Sequence, residues 1–245
     1  MFENIAAYQF VDIAEPAVLA VTLRERAEAA ALRGTILVAA EGINLFLAGE
    51  SAATIAFVDA LRADPRFASI VVKRSVSSTQ PFARLKVKVK NQIISFRQDD
   101  ASPLQGRARA VAPADLARWI AHGHDDHGRR LALLDTRNAD EVAHGSFVGA
   151  VTLPITRFGE FPHAVDAVRE NLADTTVVSF CTGGIRCEKA ALWMQANGFE
   201  EVWQLDGGIL GYFDQVGGFG YDGRCFVFDE RVALDSTLAA LTDVT

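Results

Sequence analysis

Apolar residues recur along the first third of this chain with two alternating periods. Ala7 to Ile13 alternates as a strand does, whereas Pro16 to Leu32 sets Leu19, Leu23, Ala27 and Ala30 at helical spacing behind a proline suited to a helix start. Gly34 is expected to end that helix. Thr35 to Ala39 and Asn44 to Leu47 are short apolar runs joined through Glu41-Gly42-Ile43, the pattern of a hairpin with glycine at its bend. Ser51 offers an N-cap oxygen to a second helix through Phe57, Val58 and Leu61, which Asp64-Pro65 stops. Ile70 to Arg74 and Ala83 to Phe96 return to strand character. The order β-α-β-β-α-β predicts an α+β ferredoxin-like domain over residues 1–97.

Residues 98–113 carry the breakers Ser102-Pro103, Gly106 and Pro113 and read as a linker. A second pattern starts with the helix Pro113 to Ala121. Leu131 to Asp135, Ala150 to Leu153, Thr176 to Phe180 and Val202 to Leu205 are short strands, separated by helical stretches such as Pro162 to Asn171 and Cys187 to Asn197. Strands alternating with helices require crossovers, so residues 114–218 are expected to form an α/β domain with a mostly parallel sheet. Gly198 falls where a left-handed helix cap is needed. Residues 219–245 are left as a C-terminal tail.

Composition narrows the class. Half of the 245 residues are hydrophobic and 22% are charged, which excludes a disordered chain. No run of about 18 apolar residues could span a bilayer, and the first residues lack the order of a secretory signal, so a cytoplasmic protein without a membrane partner is expected. Three cysteines do not make a disulfide framework, and each is judged by its setting.

The net charge of -7 is unevenly spread: Lys73 to Arg109 holds nine Lys or Arg against Asp99 and Asp100, so this segment carries +7 and the remainder -14. Within it Arg84, Lys86, Lys88 and Lys90 share one face of a strand, with Leu85, Val87 and Val89 on the other. A solvated sheet face explains this pattern as well as contact with a phosphate backbone does. Lys73, Arg74, Arg97, Arg107 and Arg109 are candidates to extend the patch. The cluster His122, His124, His127, Asp125 and Asp126 reads as a polar turn, and no metal site is expected.

The chemistry concentrates at Cys181-Thr182-Gly183-Gly184-Ile185-Arg186-Cys187, which follows a strand and opens a helix. Ligands of open α/β sheets sit beyond the carboxyl ends of strands, where Cys181 falls. If the loop curls round the sulfur, its backbone N–H groups and the positive end of the helix favour a nucleophilic thiolate, and the two glycines permit the tight turn. The same cradle suits an anionic group on the sulfur. A cysteine phosphatase would need arginine where Cys187 stands, so that reading is disfavoured. Cys187 either resolves an oxidised Cys181 or fills space, and Cys225 reads as core. Asp135 and Arg137 end a parallel strand near the site, as a structural ion pair or as residues that hold the loop or an anion.

Cys181-x-x-Gly184-x-Arg186 followed by Ala190-Ala191 resembles the active loop of rhodanese domains, whose cysteine carries a persulfide. The likeness extends to Leu134-Asp135-Thr136-Arg137, Glu141, Gly149-Ala150, Gly198-Phe199 and Leu205-Asp206-Gly207-Gly208-Ile209. Gly145-Ser146-Phe147 replaces the usual Gly-His-Ile, and Cys187 a frequent serine. Together with Glu41-Gly42-Ile43-Asn44, the run Arg84 to Lys90, Phe158-Gly159-Glu160-Phe161-Pro162 and Cys225 to Val232, these features resemble the oxygen-dependent tRNA uridine hydroxylases. Leu45 stands where that family commonly has glycine, and its longer members' cysteine-rich C-terminal stretch has no counterpart here.

The resemblance implies oxidation of the wobble uridine to 5-hydroxyuridine, with dioxygen as co-substrate, the anticodon arm of tRNA as partner and Cys181 as the working residue. It also implies tRNA contacts for Arg84, Lys86, Lys88 and Lys90. No flavin, haem or 2-His-1-carboxylate signature is evident, and no motif identifies an electron donor. The alternative activity is transfer of sulfane sulfur from thiosulfate or a persulfide to a thiol or protein acceptor.

Overall fold

The computed structural model describes residues 1–98 and 101–240. It divides the chain into two units. The first is Met1–Ser95 with Phe228–Val232 and residues 239–240; the second is Phe96–Val227 with Ala233–Leu238.

In the first unit the chain runs β1 (Phe2–Phe10), α1 (Pro16–Ala29), β2 (Arg33–Ala39), β3 (Gly42–Gly49), α2 (Ser51–Arg62), β4 (Val72–Ser77) and β5 (Leu85–Val89). The sheet order is β4-β1-β3-β2-β5, with β1 to β4 antiparallel and β5 parallel to β2. The first four strands have the expected ferredoxin-like arrangement, and β5 adds a fifth at the edge. Strand alternation drives this packing: Ile5, Ile36, Val38, Leu45 and Leu47 meet Leu23, Ala27, Phe57, Val58 and Leu61 of the helices in one apolar core.

Several boundaries differ from those the pattern predicts. Helix α1 stops at Ala29 because Ala31 adopts a left-handed φ of 51°, which turns the chain and buries Leu32. Gly34 therefore lies inside β2. Its φ of 134° lets the backbone meet Phe46, where a Cβ would overlap the carbonyl oxygen. Ser51 is the first residue of α2 rather than its cap; Glu50 holds the cap position, its carbonyl accepting from Ala53 and Thr54 N–H at 3.0 Å. Asp64 caps the short turn Pro65–Phe67 through Arg66 N–H at 3.0 Å. Only Leu85–Val89 of the run Ala83 to Phe96 is strand, since the rest has no partner register.

The second unit runs β6 (Arg109–Val111), α3 (Pro113–His122), β7 (Leu131–Asp135), α4 (Ala139–Val142), β8 (Gly145–Phe147), α5 (Phe161–Ala167), α6 (Arg169–Leu172), β9 (Thr176–Phe180), α7 (Ile185–Ala196), β10 (Val202–Leu205), α8 (Gly208–Val216), β11 (Tyr221–Gly223), β12 (Cys225–Phe226) and β13 (Ala233–Leu234). Its main sheet, β6-β10-β9-β7, is wholly parallel, as the alternation of strands and helices requires. Every residue of β9 is buried, which fits a central strand covered on both faces.

Arg109–Val111, inside the expected linker, is a strand because Ala108 and Val111 reach the core and Arg109 to Val111 register with Trp203 to Leu205. Ala150 to Leu153 is not a strand; only the bridge of Val151 to Leu134 forms there. The helical stretch Pro162 to Asn171 breaks at Val168 into α5 and α6. Gly198 does follow α7 with a left-handed φ of 83°. The expected tail supplies β11, paired with β8, and the β12–β13 ladder. Residues 99 and 100 of the expected linker and 241–245 of the tail lie outside the described residues.

Gly42, with φ 144°, has no room for a Cβ beside the Gln9 carbonyl. Gly42→Ala is expected to lower stability by about 1–3 kcal/mol, the cost of a strained backbone, as read from the midpoint of denaturant unfolding.

Candidate active site

Strand β9 ends at Phe180 and places Cys181 at the carboxyl edge of the parallel sheet, between the flanking strands β10 and β7. The loop then folds back on its own sulfur. Gly184, at φ 99°, donates its N–H to Cys181 Sγ at 3.1 Å. The loop carbonyls face the other way: Cys181 O accepts from Ile209 N–H at 2.9 Å and Thr182 O from Leu210 N–H at 3.0 Å. The amino end of α8 thus holds the carbonyls outward while N–H groups turn inward, the arrangement that makes a nest for an anion. This close approach needs Gly208, where a Cβ would meet Cys181 O and Gly184 N.

Cys181 is 1% exposed. Burial alone would push its pKa up, but the hydrogen bond from the Cys187 thiol, the Arg186 charge and the N–H groups of Arg186 and Gly184 outweigh it and bring the group down to about 5. Cys187 moves the opposite way. Burial and the charge and hydrogen bond of Cys181 push its thiol well above the ordinary value, against smaller effects of Thr136 and Ser179. Of the two coupled sulfurs, Cys181 is thus the one held toward the thiolate and Cys187 the one held as the thiol.

Arg186 is buried and forks onto Glu141, Nη1 to Oε1 and Nη2 to Oε2 both at 2.6 Å, while also donating to Cys181. Glu141 Oε1 accepts in addition from Asn138 N–H at 3.2 Å, which fixes the carboxylate at the start of α4. Glu141 was visible in sequence only as part of a motif. Its spacing of three residues from Asn138, a helix-start signal that the sequence reading passed over, could have placed it.

Asp135 and Arg137 are fully buried and paired with each other: Arg137 Nε reaches Asp135 Oδ1 at 2.9 Å and Nη2 reaches Oδ2 at 2.6 Å. Arg137 Nη2 also bonds Gly145 O at 2.6 Å and Ser146 Oγ donates to Asp135 at 2.7 Å, so the pair ties the end of β7 to β8. Thr182 Oγ1 donates to Phe226 O at 3.3 Å, and Ile185 is buried at the start of α7. Cys225 is fully buried in β12, and burial pushes its thiol up to about 12.

The motif Phe158 to Pro162 is a packing device: Phe158 stacks on Phe96 at 4.6 Å between centroids, and Phe161 lies against Phe96 and Trp193. Asp125 accepts from His127 N–H, Arg129 N–H and Thr176 Oγ1, which makes the histidine segment a fixed turn. Among the described residues no group of three or more His, Cys, Asp or Glu is placed to hold a metal ion.

Arg84, Lys86, Lys88 and Lys90 are exposed on and beside β5 in the first unit, and Val87 faces the core. Val89 departs from the expected inner face and is 50% exposed. Because β5 is an edge strand, its lysines also discourage pairing with another chain. The proposed extensions divide: Arg74 pairs with Glu3 at 2.8 Å, Arg107 with Glu188 and Asp206, and Arg109 with Glu201, so these three charges are internally balanced. Lys73 Nζ lies over the Tyr8 ring at 5.5 Å.

The ultraviolet absorbance of the thiolate is expected to titrate with a midpoint near about 5 and to vanish in Cys181→Ser. The sign follows from the acid form being the thiol: absorbance is full at neutral pH and lost as pH falls. An ordinary thiol would lose it near about 8.5.

Two family models match the chain, the UPF0176 acylphosphatase like domain over residues 2–93 and the rhodanese-like domain over residues 112–215. A tRNA uridine(34) hydroxylase of Xanthomonas campestris pv. campestris strain 8004 is 65% identical over 243 residues, covering 99% of this chain and 96% of that one. The protein of the same name from Xylella fastidiosa strain 9a5c is 61% identical over 241 residues, covering 98% and 94%. Among solved structures, Saccharomyces cerevisiae Ygr203w, a homolog of single-domain rhodanese and Cdc25 phosphatase catalytic domain, matches 44% of this chain and 80% of its own at 16% identity and a TM-score of 0.39. By identity over nearly its whole length, the chain belongs to the tRNA uridine(34) hydroxylase family.

Proposed function

We propose that this protein hydroxylates C5 of the wobble uridine of tRNA in the cytoplasm, taking the oxygen atom from dioxygen. The observation that carries the reading is the Cys181 thiolate in its nest, in a chain of this family. C5 of a uracil ring becomes electron-rich once a nucleophile has added at C6, and a thiolate is the side chain suited to that addition at neutral pH. In this reading the loop donors that stabilise the free thiolate also receive it again when the adduct collapses. Arg186 is fixed by Glu141 and serves as a stationary charge beside the sulfur. The strand carrying Arg84, Lys86, Lys88 and Lys90 would seat the anticodon arm through its phosphates.

The cradle also suits a sulfane sulfur on Cys181, so transfer of that sulfur to a thiol is the second reading; it leaves the exposed lysines of β5 with no role beyond guarding an edge. Nucleoside mass spectrometry of tRNA from cells lacking the protein separates the two. The wobble 5-hydroxyuridine is expected to fall, to return with the wild-type chain and to stay low with Cys181→Ala. Unchanged 5-hydroxyuridine in the deletion, in a strain with no second route to that base, would refute the hydroxylase reading.

The combined substitution of Lys86, Lys88 and Lys90 by glutamate is expected to weaken tRNA binding by about tenfold or more at low salt. It should also flatten the plot of log affinity against log salt by about two units of slope, as loss of three phosphate contacts requires. Filter binding across a salt series measures both, and an unchanged slope would return β5 to the role of a guarded edge.

A further inference from the structure

We propose that Cys181 and Cys187 together are the two-electron donor of the reaction, passing from a thiolate and a thiol to one disulfide in each turnover. This rests on the hydroxylase reading. Inserting one atom of dioxygen into a C–H bond requires two electrons to carry the other atom to water. Among the described residues, the Cys187 thiol is the oxidisable group that donates a hydrogen bond to the Cys181 sulfur.

Its placement is specific. Cys187 lies in the first turn of α7, its N–H bonded to Gly184 O at 3.0 Å and its sulfur 3.7 Å from Thr136 Oγ1, wholly buried beneath the loop. Neither cysteine is in a disulfide, and Gly183 and Gly184 between them give the loop the freedom to close a hydrogen-bonded sulfur contact to a bond of about 2.05 Å. A serine at 187 would donate the same hydrogen bond in nearly the same volume. What only the thiol adds is the capacity to be oxidised. Cys225 is a poorer partner, since its sulfur is directed to Phe226 O at 3.7 Å within β12.

The balance closes. At the uridine the C5–H bond gives way to C5–O–H; the O–O bond breaks; the second oxygen leaves as water with one proton from the Cys187 thiol and one from solvent; each sulfur yields one electron as the S–S bond forms. Uridine, dioxygen, the Cys181 thiolate, the Cys187 thiol and one solvent proton thus become 5-hydroxyuridine, water and one disulfide. The resting state then returns by exchange with an external dithiol, which leaves as its own cyclic disulfide. The reaction class that must serve this enzyme is disulfide reduction by a dithiol carrier.

The test uses the full chain, reduced, freed of reductant without oxygen, and mixed with unmodified tRNA in aerated buffer. Wild type is expected to make one 5-hydroxyuridine per enzyme and stop, with a Cys181–Cys187 disulfide found by peptide mass spectrometry only when tRNA is present, and to resume when dithiothreitol is added. Cys187→Ser keeps the hydrogen-bond donor, and its burst without reductant should fall by at least about tenfold. Repeated turnover without reductant, product without the disulfide, or a Cys187→Ser burst equal to wild type with sulfenic acid on Cys181 would each overturn the proposal while leaving the hydroxylase reading intact. Wild type making no 5-hydroxyuridine even with dithiothreitol overturns both.

Discussion

A negative sulfur with 1% exposure is tolerable only where fixed donors replace the water it has lost, and the second unit is organised around that replacement. Three kinds of donor converge on Cys181: backbone N–H groups of its own loop, the Arg186 guanidinium and the Cys187 thiol. Each depends on something further away. The inward N–H groups require outward carbonyls, and these are held by Ile209 and Leu210 at the start of α8. The guanidinium requires a counter-charge, because an arginine buried beside a single thiolate would swing to suit any carboxylate; Glu141 fixes it from α4, and Asn138 N–H fixes Glu141. The sulfur is thus coupled to four elements that meet only in the folded unit.

This coupling explains the paired glycines. Gly184 turns the loop over the sulfur, and Gly208 lets α8 come within hydrogen-bond distance of the loop. A side chain at either place would move the donors rather than the sulfur. Further out, Arg137 and Asp135 tie β7 to β8, and so steady the sheet edge at which the loop sits. They act on the edge rather than on the sulfur.

The alternation of apolar residues made the two fold classes legible, because a ferredoxin-like sheet and a parallel sheet differ in period and in the length of their crossovers. What it could not show were elements too short to carry a period. Strand β6 is three residues long, begins with an arginine and follows a proline and a glycine, so locally it is indistinguishable from linker; only its partner β10 makes it a strand. The tail is similar: β11 and β12 exist because β8 and β13 lie opposite them. In the site, the cysteine loop was readable because its residues are contiguous, whereas the Glu141–Arg186 fork joins positions 45 apart in the chain and is a fact of packing. Ser51 misled for a related reason: a residue suited to capping was present, but the chain direction put Glu50 at the boundary.

Charge distribution adds a constraint that fold alone does not. On the proposed reading a polyanion must approach a chain of net charge -7, whose net field opposes the approach. Pairing within the protein sharpens the asymmetry. Arg74, Arg107 and Arg109 are paired with Glu3, Glu188, Asp206 and Glu201, whereas Arg84, Lys86, Lys88 and Lys90 are exposed on and beside β5. On that reading the net negative charge works against indiscriminate nucleic-acid binding, since long-range repulsion must be offset by local contacts. On the same reading, an excess of acid that opposes general RNA binding favours those placements of tRNA that bring its phosphates to the cations of β5.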